Sequence, residues 1–188
     1  FVGLFGEIET ATIKNIHMTV SEEGKGQIIC NFKTGSEGLK AGVGGLIGLS
    51  YMNQNTVENC TVSGYTVSFE LSSANNNKQF WGVAMGGLVG FNMSDITNCS
   101  AENDVVLKVT AGFQTVQPVF MGGLAGSSFF GTLSGSYAGG TINISNSGNY
   151  NLGDKVAIGG VCPGYFYTWF KSKESDEAEL TGDFFTNS

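Results

Sequence analysis

The sequence predicts an all-β fold, specifically a β-solenoid: a stack resembling a right-handed parallel β-helix, of about four repeats with a divergent C-terminal cap. Three observations predict it. A glycine-rich hexapeptide recurs, as VGGLIG at Val43–Gly48, MGGLVG at Met85–Gly90 and MGGLAG at Met121–Gly126. Apolar residues then follow each copy at steps of two, the period of a strand with one buried face. Glycine supplies 29 of 188 residues and proline only 2. With abundant Asn, Ser and Thr and no helical pattern, this is the profile of short strands and tight turns. A repeat of this length also suits a propeller blade, so a propeller-like array stands as the alternative.

Composition narrows the function classes. The chain is 41% hydrophobic, enough for a core, and only 13% charged, with a formal net charge of −7. All of its basic residues are lysines. An acidic chain without arginine lacks the groups that usually neutralise phosphates and fork onto guanine, so nucleic acid is not an expected partner. No apolar stretch reaches the roughly 18 residues that a membrane span needs. The first residue already lies inside a repeat, so upstream repeats and a removed targeting segment are expected.

The elements follow from the repeat positions in order. Anchoring each unit on the glycine before the apolar residue gives Gly3, Gly45, Gly87, Gly123 and Gly160, spaced 42, 42, 36 and 37 residues apart. Units therefore start near residues 1, 43, 85 and 121, with a partial fifth at 158. After each glycine segment comes an aliphatic residue: Ile13, Val57, Ile96 or Leu133. At the next matching position stand Ile16, Cys60, Cys99 or Ser136, and then Met18, Val62, Ala101 or Ala138. An alternating run closes the unit, as in Val67, Phe69 and Leu71 or Val105, Leu107 and Val109. This predicts three short strands per repeat: a glycine strand, an "NC" strand and an alternating strand. One unit has too few apolar groups to fold alone, whereas stacked units share a core. A conserved spacing of Gly-Gly inside such a pattern implies a corner, a close approach by the next rung, or a positive φ. Whether one repeat makes one rung or two thin ones stays open. Residues 165–188, dense in aromatics and then in charge, are expected to cap the stack, with a short helix over Ser172–Leu180.

The unit GGLxG…NC resembles the GLUG motif, most strongly at MGGLVGFNMSDITNCSAEN and VGGLIGLSYMNQNTVENCTVSG, more loosely in the flanking copies, and over about residues 1–165. The resemblance implies a β-solenoid-like structure on the surface of bacteria or among their secreted proteins, where such repeats occur in adhesin-like proteins and in non-catalytic regions of some immunoglobulin-cleaving metallopeptidases. It implies no catalytic residues.

The residues themselves offer little chemistry. His17 is the only histidine and is expected on the outer face, opposite Ile16 and Met18, so a Ser/Cys–His pair or a zinc motif is not expected. The best carboxylate pair for glycoside chemistry is Glu58 with Asp95 on neighbouring rungs, with Glu70 and Asp104 further out of register. Both members of the pair are read as solvated turn residues. Oxygen-rich segments at Asn92–Asp95 and Gly148–Lys155 lack dense calcium-ligand spacing. Sequons at Asn59, Asn92, Asn98 and Asn143 are about as frequent as composition alone predicts. Trp81, Tyr165, Tyr167 and Trp169 are the candidate binding aromatics, for stacking on sugars or partner proteins. Gly45, Gly87, Gly123, Gly160, Cys60 and Cys99 are structural repeat positions, the cysteines expected as inward free thiols rather than an inter-rung disulfide. No metal, cofactor or catalytic residue is expected. The expected role is a non-catalytic surface or secreted adhesion module, binding host, matrix or glycan ligands. A carbohydrate-binding or carbohydrate-processing β-helix and an accessory domain of a secreted peptidase are the alternatives.

Overall fold

In the computed structural model the structure describes residues 1–22, 26–32, 39–52, 54–71, 79–110, 114–115, 119–147, 152 and 156–163. The expected cap at 165–188, its helix, and Tyr165, Tyr167 and Trp169 lie outside these residues, as does the side chain of Trp81.

Among the described residues the fold is all β, and no helix is long and apolar enough to cross a membrane. The first rung comprises β1 (Phe5–Glu9), β2 (Thr12–Lys14), β3 (His17–Thr19) and β4 (Gly26–Phe32). The second comprises β5 (Leu39–Gly44), β6 (Ile47–Tyr51), β7 (Thr56–Glu58) and β8 (Thr61–Leu71). The third comprises β9 (Gln79–Gly86), β10 (Val89–Asn92), β11 (Asp95–Thr97) and β12 (Ser100–Val109). The fourth comprises β13 (Gln114–Thr115), β14 (Val119–Gly122), β15 (Ala125–Ser128), β16 (Leu133–Ser134), β17 (Tyr137–Gly139) and β18 (Ile142–Asn146), and β19 (Val156–Gly159) opens the next.

Equivalent strands stack in parallel into four sheets. Sheet A holds β5, β9, β13, β14 and β19, and sheet B holds β1, β6, β10 and β15. Sheet C holds β2, β7, β11 and β16; sheet D holds β8 and β12 flanked by β3, β4, β17 and β18. From β5 to β19 the chain completes three turns of this circuit, with β1–β4 preceding them. Each repeat is therefore one rung, which settles the one-or-two question, and the stack is a solenoid rather than a ring of blades. The three-strand unit needs correction: the glycine pair does not lie inside a strand but separates two, so each rung visits four sheets.

The register matches the repeat alignment. Val57 lies opposite Ile96, and Val62 opposite Ala101; all four are fully buried, as are Cys60 and Cys99 between them. Leu46, Leu88 and Leu124, which follow the glycine pairs, join them in a core enclosed by sheets B and C and the start of D. A second cluster fills the space between sheet A and the rest of D, with Val43, Met85 and Met121 facing Phe69 and Leu107. Burying each such side chain is worth about 1.5–3 kcal/mol relative to exposure. The alternating sequence thus builds two joined cores, and a smaller third cluster of Leu49, Ala84, Phe91 and Phe120 forms between sheets A and B. Sheet D spans both joined cores and is kinked where they meet, with Gly64 and Gly140 at positive φ and a register shift between Glu102 and Asp104.

Candidate functional site

The repeated motif positions form two stacked corners, and the outward residues of sheets C and D form the face these corners hold in place. At the first corner the glycines differ in purpose. A Cβ on Gly87 would strike the carbonyl oxygen of Gly123 and lie 2.8 Å from the Ala101 Cβ. Gly45 meets Gly87, and Gly123 meets Gly160, in the same way. Their amides run down the axis: Gly45 N donates to Gly87 O (3.2 Å), Gly87 N to Gly123 O (3.1 Å) and Gly123 N to Gly160 O (3.0 Å). The preceding glycines abut their own turn, Gly44 against the Ile47 carbonyl and Gly86 against that of Val89. The last glycine of the hexapeptide lets sheet B lie on sheet A: a Cβ on Gly90 would come within 2.5 Å of Val43 N. None of these glycines has a positive φ. Close backbone approach, not left-handed geometry, is what the hexapeptide requires.

The second corner joins sheets C and D. Here Asn15, Asn59, Asn98 and Gly135 occupy equivalent positions and all have φ between 53° and 56°. Asparagine tolerates this left-handed conformation better than other side-chain-bearing residues. Asn59 donates to Asn15 Oδ1 at 2.6 Å, so the corner is also tied between rungs. The following residue turns inward. Cys60 N donates to Cys99 Sγ (3.4 Å), and Cys99 N donates to Ser136 Oγ (3.0 Å). Cysteine and serine interchange at this position because each presents one small acceptor to the rung before it. Neither Cys60 nor Cys99 is in a disulfide, as expected. The side-chain hydrogen bond with Cys60, and then burial, push the Cys99 thiol above its ordinary range.

Buried amides tie the corners to the sheets. Asn103 donates to Gly87 O at 2.8 Å and accepts from Tyr65 N at 3.0 Å, fastening the kink of sheet D to the glycine corner. Asn55 accepts from Ala11 N at 2.7 Å and donates to Tyr51 O at 2.6 Å. Asn92, in a sequon, is buried and donates to Ser94 O and Ser128 Oγ. Sequence reasoning missed Asn55 and Asn103 and named Asn92 only as a sequon and as part of an oxygen-rich segment. Their signal was an Asn that interrupts the hydrophobic alternation just past a motif position.

On the outer face, the Glu58–Asp95 pairing does not form as a facing dyad. Glu58 lies opposite Thr97, and Asp95 lies opposite Thr56, so the carboxylates are offset along sheet C. Glu58 is bridged to Lys14 at 2.6 Å, and Asp95 Oδ1 accepts from Thr132 N and Oγ1 at 3.0 and 2.7 Å. Asp104 caps Thr141 in the same manner, and Glu70 is held by Lys108 at 2.5 Å and by Asn31 at 3.3 Å. His17 is exposed, and its Nδ1 lies 2.9 Å from Thr61 Oγ1. Most of the Gly148–Lys155 segment lies outside the described residues; among those described, no group of His, Cys, Asp and Glu could hold a metal. The outer face does carry an aromatic that was not singled out: Tyr137, 56% exposed, with its hydroxyl donating to Glu102 at 2.9 Å.

Comparison with known proteins gives one match. Residues 82–106, which run from the end of sheet A through the glycine corner and the NC corner into sheet D, match the family model described as the GLUG motif. No curated protein matches the chain. No solved structure matches it.

Proposed function

Taking as premise that the chain is a GLUG-repeat protein folded as a β-solenoid, we propose that it is a non-catalytic display module of a cell-surface or secreted protein, holding an adhesive face toward host, matrix or glycan ligands. One observation carries this reading: side chains pointing outward from sheet C stand in register columns, such as Thr12–Thr56–Asp95 and Lys14–Glu58–Thr97–Ser134. Columns repeat at the strand spacing of about 4.8 Å, and neighbours along one strand at about 6.6 Å. A rigid grid of this kind suits recognition of an extended or repetitive surface with little ordering cost on binding.

The test is retention of the intact chain on arrays of immobilised matrix proteins and glycans. Saturable binding to at least one supports the reading, and no retention on any overturns it. A carbohydrate-processing role is less well supported, because Glu58 and Asp95 are committed to Lys14 and Thr132 instead of flanking a common point.

A further inference from the structure

We propose that the outer face of sheet D around Tyr137 is a binding subsite for a neutral, hydroxyl-rich polysaccharide. The inference rests on the display reading above and names its ligand class and its location.

Tyr137 begins β17 with more than half of its surface open to solvent. A large aromatic left so exposed on a sheet face is available for stacking. Its orientation is fixed by the 2.9 Å bond from its hydroxyl to Glu102 on the neighbouring strand. The next outward position along β17 is Gly139, opposite Glu102. The Glu102 side chain leans over this position, where a Cβ would come within 3.3 Å of Glu102 Cγ, so glycine makes room for the carboxylate beside the ring. Beyond it, Thr141 is held by Asp104, through both its amide (3.0 Å) and its hydroxyl (2.6 Å). The arrangement is an oriented aromatic plate, a glycine beside it against which Glu102 lies, and two carboxylates flanked by hydroxyls. Pyranose rings present apolar C–H faces that stack on an aromatic plate and hydroxyl rims that bond to carboxylates.

Charge selects among glycans. Glu102 and Asp104 lie on this face. Lys14 and Lys108, the lysines placed outward on sheets C and D, are bridged to Glu58 and Glu70. Sulfated, phosphorylated or uronate-rich chains would meet uncompensated carboxylates here, so a neutral polymer fits and an anionic one does not. Tyr137 shares a register column with Thr61 and His17, and Ser100 between them is buried, so the contact is centred on Tyr137 and the residues beside it.

The experiment is affinity electrophoresis of the intact chain through gels containing a neutral polysaccharide (β-glucan, mannan or xylan in separate gels) or an anionic one (alginate or heparin). Retardation is expected in at least one neutral gel and in neither anionic gel. Tyr137→Ala should weaken that retardation at least tenfold in apparent affinity, and Tyr137→Phe, which keeps the plate but frees it from Glu102, should fall between. Both variants should match the parent in thermal melting, because the residue is exposed. Retardation by anionic gels only, by no gel, or equally in the parent and Tyr137→Ala overturns the inference. If no polysaccharide retards the chain but a matrix protein captures it, the subsite fails while the display role stands. If neither does, both fail.

Discussion

Single residues in this fold are constrained by what the adjacent rung places against them. Gly87→Ala is expected to cost about 3 kcal/mol, since the new methyl meets the Gly123 carbonyl and Ala101 at once and backbone cannot step aside. Gly160→Ala is expected to change stability by less than about 0.5 kcal/mol, because nothing lies within 4 Å of its Cβ position. Urea melts of the two variants check the contrast. Cys99→Ser should be tolerated better than Cys99→Ala, despite the more polar side chain. Serine keeps an acceptor for the buried Cys60 amide, and alanine strands it at a cost of about 1–3 kcal/mol. Equal destabilisation by both would remove the acceptor explanation. Much of this scale was legible beforehand: alignment of Gly45, Gly87, Gly123, Cys60 and Cys99 named the positions. It did not distinguish close approach from positive φ at the glycines, nor did it predict the left-handed Asn59 and Asn98, because backbone angles at a corner depend on the rung beneath.

At the scale of elements, the strands are short and their junctions decide the shape. The strand containing the glycine pair was read as one element because apolar neighbours alternate through it. In three dimensions the pair is where the chain doubles back, so sheet B lies on sheet A. The long strands β8 and β12 were legible from Val67, Phe69, Leu71 and their counterparts. The kink between their two halves was not, since it depends on Asn103 reaching a glycine corner 16 residues away. Asn103→Ala should therefore loosen both corner and kink. It leaves the Tyr65 amide without its partner, and a loss of about 2 kcal/mol is expected in equilibrium unfolding. Thiol burial makes a pH-dependent contribution at the same scale. Cys30 is raised by desolvation, whereas the bond between Cys60 and Cys99 shifts that pair in opposite directions, Cys60 down to about 6 and Cys99 up, so their contributions oppose each other. A thiol whose folded pKa lies above its unfolded one favours the folded state while neutral. The Cys30 contribution should therefore hold below about pH 8.5 and decline as pH rises through its raised value. Urea midpoints of the parent and of Cys30→Ser from pH 7 to 10 check this: the parent should lose more stability over that range than Cys30→Ser, and equal pH profiles would remove the Cys30 explanation.

The whole molecule is a quasi-one-dimensional stack, in which each rung contacts mainly its neighbours. Deleting residues 45–86 joins Gly44 to Gly87 and removes one 42-residue period without breaking any motif. The shortened chain is expected to keep an all-β circular dichroism spectrum with a lower melting temperature. Loss of cooperative folding would show that the rungs are not interchangeable modules. The fold class was legible because the period recurs across the chain. The face that we assign to ligand binding was not, because Tyr137 gains its meaning only beside Glu102 and Gly139, which no spacing rule links to it.

The glycine amides all point the same way along the axis, each rung hanging from the next by bonds parallel to that axis. A load pulling the chain ends apart along the axis therefore falls on few bonds at a time, beginning at a terminal turn. Under tension such a molecule should lengthen by peeling off single coils in steps rather than by rupturing at once, so that its extension under load is spread over several small events.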